Sequence, residues 1–425
     1  MVTIESEPPD AAAPQETVPW VLSSDTHIVE PPDLFTTRMD AALRDDAPFV
    51  VVQDDTEMWI VGGKEGRPPF VPARAGDRFL APGDRPTRWK KSTYQEETFA
   101  KDVSASAYDP DAWLDDIARD GLYGGVVIPS HTLLFYGLIE DTGVLDAVCR
   151  AMNDWLADFA SADPDRIAPT AMVNLDDVDV AVAEMARAKS KGARGVVIPI
   201  KNPRSYDSPD YDPFWAAAVD LDLSVNFHVV TVRWPATLAG ADKVSQATLR
   251  NVFTSVGGII NGADLEIRWT LSEMILSGVF DRHPGLKVVS IENEGSWAPF
   301  FLDRLDWHYR YNAFLADSYR LADGALPSDH FRRNVYISFT EDPLVIALRD
   351  MVGGSGHLLW GSDFPHAEST FPRSPSIVAG QIGALDPAEQ LRIGQRNCAD
   401  LYGFDLAKLP VPPALAATGQ DPRPR

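Results

Sequence analysis

The chain has 425 residues, a formal net charge of −24 and two cysteines. This length allows one large domain or two ordinary ones, and the negative charge disfavours nucleic acids and anionic membrane surfaces as partners. Cys149 and Cys398 stand far apart and in no motif, which excludes a disulfide framework and a cysteine-type zinc site.

Both ends of the chain have the composition of flexible tails. Residues 1–19 are acidic and lack the basic and apolar regions of a signal peptide, and residues 409–425 are rich in proline. No run of about eighteen uncharged apolar residues occurs, so we predict no transmembrane helix. Together with the low cysteine content, these features lead us to expect a cytoplasmic protein.

Eight short, mostly apolar runs predict buried parallel strands. They span residues 20–25, 124–129, 167–174, 195–200, 223–228, 287–292, 334–339 and 357–363. Amphipathic segments separate them: DPDAWLDDIARDGLY opens with a capping signal, and VDVAVAEMARAKSKG ends in basic residues and glycine. This alternation predicts an α/β fold, a (β/α)₈ TIM barrel over residues 20–408. Residues 36–110, rich in Pro, Gly and Arg, are expected to form a long insertion after strand one, over the active-site face.

Histidines and carboxylates recur at the C-terminal ends of the predicted strands, where (β/α)₈ barrels carry their chemistry. They are Asp25 and His27 after strand one, His131 after strand two, His228 after strand five, Glu292 at the end of strand six and Asp363 at the end of strand eight. Two imidazoles and two carboxylates suit one divalent ion, and we expect Zn²⁺ first, with Mn²⁺ or Fe²⁺ as alternatives. The predicted ligands are Asp25, His27, His228 and Asp363. Such an ion lowers the pKa of its bound water from about 16 to roughly 7.

Each of these residues also has an ordinary structural interpretation. Asp25 and Glu30 suit turn caps, and Glu30 directly precedes Pro31. His228 suits a hydrogen-bonded core histidine, and Asp363 suits a loop cap. Capping alone does not require such residues to recur at the same end of successive strands. The recurrence therefore favours a shared metal site, and whether Glu30 or Glu292 is an additional ligand stays open.

Several segments resemble the amidohydrolase-related family that includes aminocarboxymuconate-semialdehyde decarboxylase and the dihydroxybenzoate decarboxylases. The resemblance runs from about residue 20 to about residue 405 and is carried by SSDTHIVEPPDLF, NFHVV, FDRHPGLKVVSIENEGSWAPFFLDRLD, LLWGSDFPHAEST and IGQRNCADLYGF. It implies a barrel with one divalent ion, in which Asp25 takes the place of the first histidine of a His-x-His motif and His228 and Asp363 are further ligands. It also implies a homodimer or higher homo-oligomer.

The resemblance is broken at strand six, where the decarboxylases carry a histidine followed by glycines and this chain carries Glu292 and Asn293. This departure removes the proton donor that the decarboxylases use. Glu292 is then expected to move a proton or to anchor the metal's water, or else to form a salt bridge to Arg304. His366 is expected to orient Asp363, to act as an acid or base, or to cap a helix.

Three further residues are candidates for binding substrate: His131, Arg233 and Trp234. An arginine on the loop after strand five suits a substrate carboxylate, and a tryptophan suits an aromatic ring. For Arg233, an exposed loop position without such a function is an equal alternative.

The main functional hypothesis is a metal-dependent hydrolase that acts on a small cyclic or aromatic carbonyl compound, with Glu292, His366 and Asp363 as catalytic residues. The alternative is a metal-dependent non-oxidative decarboxylase of an aromatic or muconate-type acid. The third is a non-catalytic ligand-binding barrel.

Overall fold

The computed structural model describes residues 21–53, 56–65, 98–233, 256–312, 321–322, 324–366 and 369–410. Its strands are β1 (Val21–His27), β2 (Phe49–Gln53), β3 (Thr56–Val61), β4 (Lys64–Glu65), β5 (Leu122–Ile128), β6 (Ile167–Met172), β7 (Gly195–Ile198), β8 (Ser224–His228), β9 (Val288–Ile291), β10 (Val335–Phe339) and β11 (Leu358–Trp360). Its helices are α1 (Leu34–Arg38), α2 (Phe99–Asp102), α3 (Pro110–Arg119), α4 (Thr132–Leu138), α5 (Thr142–Ala160), α6 (Val178–Ser190), α7 (Asp212–Asp220), α8 (Val256–Leu276), α9 (Val279–Arg282), α10 (Trp297–Tyr311), α11 (Pro327–Asn334), α12 (Pro343–Ala347), α13 (Ser374–Ile382), α14 (Pro387–Leu391) and α15 (Asn397–Tyr402).

Eight of the strands form one parallel barrel in the order β1-β5-β6-β7-β8-β9-β10-β11. The barrel closes between β1 and β11, where the His27 N–H donates to the Phe364 carbonyl (2.6 Å) and the Asp363 N–H donates to the Asp25 carbonyl (3.0 Å). Helices separate the strands along the chain, as the apolar and amphipathic segments predicted. The predicted (β/α)₈ barrel is therefore confirmed.

The helices between the strands begin where the sequence carries capping residues. The Asp109 side chain accepts a hydrogen bond from the Ala112 N–H at the start of α3, where Pro110 occupies the first turn. The Asp177 side chain accepts from the N–H groups of Asp179 and Val180 at the start of α6. Such caps satisfy backbone donors that would otherwise lack partners at a helix start.

The predicted insertion contains a small antiparallel sheet of β2, β3 and β4. The buried Trp59 of this sheet contacts Phe135 of α4, with ring centroids 5.7 Å apart, and His131, at 5.9 Å. These contacts attach the sheet to the segment that leaves the C-terminal end of β5. Residues 66–97 and the predicted tails, apart from 409–410, lie outside the described residues. Within the described ranges, no helix has the length and apolar character that crossing a bilayer requires.

Candidate metal centre

The four predicted metal ligands converge at the C-terminal end of the barrel. His27 Nε2 lies 3.2 Å from His228 Nε2, 3.2 Å from Asp25 Oδ1 and 3.5 Å from Asp363 Oδ1. All four side chains are buried. Gly361 leaves room for this arrangement, because a Cβ at that position would lie 2.7 Å from the Asp25 Cβ.

The two histidines present the same ring nitrogen to the centre. His27 Nδ1 lies 3.0 Å from the Pro129 carbonyl oxygen, and His228 Nδ1 lies 2.9 Å from the Val229 carbonyl oxygen. Because carbonyl oxygens only accept, both Nδ1 atoms carry a proton, which leaves Nε2 of each ring as the atom that can bind a metal ion. Atoms bound about 2.1 Å from one ion, at tetrahedral to octahedral angles, lie roughly 3.0–3.4 Å apart, so the pair suits a shared metal ion.

The carboxylates support the same conclusion. Asp25 Oδ1 is buried and accepts no hydrogen bond from the described residues, although it lies 3.2 Å from His27 Nε2 and 3.9 Å from His228 Nε2. A buried carboxylate oxygen without a donor is costly, and a cation between these atoms would remove that cost. The residues present therefore fit a divalent ion.

Glu292 joins the cluster from its open side. Its Oε2 lies 3.0 Å from His228 Nε2 and 3.9 Å from His27 Nε2, and its side chain is 34% exposed. Burial disfavours the charged forms of Glu292 and His228, but the hydrogen bond and the charge attraction between them outweigh burial. The pKa of Glu292 is therefore lowered to about 2, and the pKa of His228 is raised to about 9. Arg304 pairs instead with Asp303, at 3.0 Å, which favours a place for Glu292 at the metal centre over the salt bridge to Arg304.

Three strands leave the barrel through residues in the left-handed backbone region. Val230 follows β8 (φ 63°), Glu292 follows β9 (φ 57°) and Asp363 follows β11 (φ 56°). Non-glycine residues seldom adopt this conformation, which costs on the order of 1–3 kcal/mol and clusters at functional sites. The backbone strain at Glu292 and Asp363 supports a functional site at this end of the barrel.

His366 lies beside the cluster and stacks on His27, with ring centroids 4.0 Å apart. Its Nδ1 lies 2.8 Å from Asp363 Oδ1, and its Nε2 lies 2.9 Å from Ser130 Oγ. Ser130 donates its only hydroxyl hydrogen to the Ile28 carbonyl (2.5 Å), so Ser130 accepts from Nε2. His366 therefore donates from Nε2, while its Nδ1 faces the Asp363 carboxylate at ion-pair distance. No sequence signal distinguished Ser130, because a serine after a strand is typical of any turn.

Glu30, an open candidate for the metal, points elsewhere. Its buried carboxylate accepts hydrogen bonds from the N–H groups of Ser130, His131 and Thr132, from the Thr132 hydroxyl and from His131 Nδ1. Burial opposes its charge, but the bonds to His131 and Thr132 outweigh burial and lower the pKa of Glu30 to about 2. Glu30 and His131 thus hold the turn that carries Ser130, and the substrate contact predicted for His131 stays a prediction.

Arg233 is buried rather than exposed on a loop. Its Nε and Nη2 donate to Asp176, its Nη1 donates to the carbonyls of Tyr136 and Ile139, and its Nη2 also donates to the carbonyl of Glu140. These bonds occupy every guanidinium nitrogen, so we propose an anchoring function in place of the predicted substrate contact. Trp234 lies outside the described residues.

Comparisons with known proteins place this chain in a family. A curated relative, gamma-resorcylate decarboxylase from Rhodococcus jostii (strain RHA1), is 25% identical over 288 residues, which cover 61% of this chain and 77% of the relative. An amidohydrolase structure from Mycobacterium avium subsp. paratuberculosis K-10 shares the fold at a TM-score of 0.71 and 24% identity, covering 91% of this chain and 99% of that one.

A second solved structure, the dihydroxybenzoic acid decarboxylase from Polaromonas sp. JS666, was determined with bound manganese and the inhibitor 2-nitroresorcinol. It shares the fold at a TM-score of 0.59 and 17% identity, covering 91% of this chain and 97% of that one. The family model described as amidohydrolase matches residues 127–404, well over half of the chain. The chain therefore belongs to the amidohydrolase family.

Proposed function

We propose that the protein is a metal-dependent, non-oxidative decarboxylase of a hydroxylated aromatic acid. The observation that carries this proposal is a histidine beside the candidate metal ligands: His366 donates from Nε2 to Ser130, stacks on His27 and lies at ion-pair distance from Asp363. The sequence disfavoured a decarboxylase because the strand-six histidine is replaced, and His366 supplies the missing acid. The relatives named as decarboxylases support this alternative over the hydrolase that we expected first.

Two overlapping groups of side chains could hold the metal, namely Asp25, His27, His228 and Glu292, and His27, Glu292, Asp363 and His366. The ligands that we propose from these groups are Asp25, His27, His228 and Asp363, with Glu292 beside them. When bound, the ion supplies a positive charge that attracts the acid and stabilises negative charge on its oxygens. Carboxylate-rich sites suit Mn²⁺ better than imidazole-rich sites do, and the Polaromonas structure contains manganese. We therefore propose Mn²⁺ ahead of the Zn²⁺ expected from the sequence.

The charges of the site explain how an anionic substrate can enter. In the metal-bound site, Asp25, Glu292 and Asp363 would bring three negative charges, and a protonated His366 would bring one positive charge. A divalent ion would then make the sum zero, so an aromatic carboxylate would meet no net repulsion. Without the ion, the raised pKa of His228 adds one positive charge, and the site stays anionic and disfavours such an acid.

His366 and Glu292 have different roles in the proposed reaction. His366 donates a proton to the ring carbon that bears the carboxylate, and the bond from that carbon to the carboxylate carbon breaks. One CO₂ leaves, the ring carbon keeps the proton, and no oxidant or reductant is needed. Glu292, on the open side, accepts a hydrogen bond from the ring hydroxyl and orients the ring.

The test is a substrate panel on protein loaded with Mn²⁺, with CO₂ release and the decarboxylated product measured together. We expect release from at least one dihydroxybenzoate or related hydroxylated benzoate, and its loss after treatment with a chelator. His366→Asn should abolish turnover while the metal is retained, and His308→Asn, at an exposed position on α10, is the matched control. Protein that holds one equivalent of metal and releases no CO₂ across the panel would contradict the proposal.

The hydrolase is the second candidate, and Glu292 is the observation that favours it. A carboxylate on the open side, 3.0 Å from His228 Nε2, is placed to take a proton from an attacking water. Esters, amides and lactones of aromatic compounds, assayed with the same preparation, separate the two reactions. The two groups of candidate ligands around His27 favour an enzyme over the non-catalytic barrel.

A further inference from the structure

Asp342 links the segments that follow two neighbouring barrel strands, β9 and β10. Its buried carboxylate accepts four backbone hydrogen bonds, and its two oxygens divide these bonds between the two segments. Oδ1 accepts from the N–H groups of Leu344 (3.2 Å) and Val345 (2.9 Å) at the start of α12. Oδ2 accepts from the N–H groups of Gly295 (2.8 Å) and Ser296 (2.6 Å) before α10. One carboxylate therefore caps its own helix and holds the segment after β9.

The segment after β9 also bonds back to the segment after β10. Glu294 Oε2 accepts a hydrogen bond from the Thr340 N–H (3.2 Å), two residues before Asp342. A Cβ at Gly295 would lie 2.7 Å from Cγ2 of Val345, so the two segments pack in close contact. Carboxylates thus link the segments in both directions, and a shift of one segment requires a shift of the other.

The segment after β9 begins with Glu292, which reaches the candidate metal centre. Glu292 (φ 57°) and Glu294 (φ 52°) both adopt the left-handed backbone conformation. Non-glycine residues keep this conformation only where the surrounding structure holds them in it. The bonds to Asp342 Oδ2 come from the next two residues of the chain, so they lie where they can hold the strained turn. This turn directs Glu292 Oε2 to a point 3.0 Å from His228 Nε2.

We propose that Asp342 is a positioning residue for the metal centre and that it acts through Glu292. Its carboxylate fixes the turn after β9, and the turn fixes the Glu292 carboxylate on the open side of the candidate ligands. A helix cap alone does not require this charge, because asparagine and serine cap helices about as well as aspartate does. The second oxygen is needed only by the segment after β9. The inference deepens the proposed function and rests on it for the place of Glu292 beside a bound ion.

Substitutions separate the capping of α12 from the contact with the segment after β9. In Asp342→Asn the amide oxygen still caps α12, but an NH₂ group replaces the oxygen that accepts from that segment. Asp342→Ser also keeps a cap, and its side chain is too short to reach the segment. Glu294→Ala removes the reciprocal bond and leaves Asp342 in place. The control is Asp177→Asn, because Asp177 caps α6 through two N–H groups on one oxygen.

Mn²⁺ binding without substrate measures the effect on Glu292. Groups that orient a metal ligand typically contribute about 10–100-fold in affinity, so we expect Glu292→Gln to weaken Mn²⁺ binding within this range and Asp342→Asn to weaken it about tenfold. Asp342→Asn combined with Glu292→Gln should bind no more weakly than Glu292→Gln alone, because the charge that Asp342 positions is already absent. Asp177→Asn should bind as wild type does. Hydrogen exchange over residues 293–299, followed by mass spectrometry, should be faster in Asp342→Asn.

Urea unfolding checks that each variant is folded, and Glu294→Ala decides by the same outcomes if neither Asp342 variant folds. Wild-type Mn²⁺ affinity in folded Asp342→Asn and Asp342→Ser would overturn the proposal. An equal loss of affinity from Asp342→Asn with and without Glu292 would do the same, as would unchanged affinity in Glu292→Gln or a wild type that binds no Mn²⁺. These measurements need no turnover. A protein that meets every expectation here and releases no CO₂ therefore contradicts the decarboxylase reaction alone.

Discussion

Replacing Glu30 by glutamine removes the negative charge around which the turn 130–132 is built. The buried carboxylate accepts five hydrogen bonds, at distances from 2.7 to 3.1 Å. A glutamine amide keeps one accepting oxygen and turns an NH₂ group toward donors that then lack a partner. Unsatisfied buried donors cost about 1–3 kcal/mol each.

The pKa of Glu30 gives an independent measure of the same loss. The pKa falls from 4.5 to about 2 on folding, and each pKa unit corresponds to about 1.4 kcal/mol, so the ionised carboxylate contributes about 3 kcal/mol to the free energy of unfolding. Because the folded-state pKa is the lower one, this contribution is complete above pH 4.5. It is lost as the pH falls from 4.5 toward 2.

Urea unfolding followed by tryptophan fluorescence measures this contribution at several pH values. We expect Glu30→Gln to be about 3 kcal/mol less stable than wild type at pH 7 and at pH 5, with the difference shrinking below pH 4.5. The control is Glu140→Gln, which breaks a surface ion pair with Lys64 and should cost less than about 1 kcal/mol. A loss below 1 kcal/mol in Glu30→Gln, or a difference that stays constant in acid, would refute this account.

Three further substitutions test other parts of the structure. Ser130→Ala removes the acceptor for Nε2 of His366 and should lower kcat for decarboxylation about tenfold, the effect of one hydrogen bond of about 1.4 kcal/mol, with metal content unchanged. Ser130→Thr should retain activity, and equal losses in the two variants would contradict a role of Ser130 in positioning His366. Arg233→Lys cannot reproduce the forked hydrogen bonds and should destabilise the protein by about 3 kcal/mol; a raised KM at unchanged stability would instead indicate substrate binding. Burial raises the pKa of Asp120 to about 7, so ionising this carboxyl costs stability as the pH rises from about 4 to 7. In urea unfolding, Asp120→Asn should be more stable than wild type by up to about 4 kcal/mol at pH 8 and equally stable near pH 4. A loss of stability at both pH values would refute this explanation.

The barrel and its four candidate ligands were predictable because both depend on local pattern and strand direction. Buried parallel strands are apolar runs of a few residues, and each of the eight predicted runs contains most or all of a barrel strand. Parallel strands in a barrel bring their C-terminal ends to one face. Asp25, His27, His228 and Asp363 therefore had to lie near one another once the strands were recognised.

The sequence by itself determined the barrel and the convergence of the four candidate ligands. The partners of the surrounding side chains were decided only by the tertiary structure. Arg233 meets Asp176 across 57 residues, Glu30 meets the turn about 100 residues away, and Ser130 meets His366 across 236 residues. An arginine after a strand suits a substrate as well as a buried carboxylate, and a local pattern cannot distinguish them. Only the packing of distant segments settles which donor faces which acceptor, including the partners of His366 beside the candidate metal site.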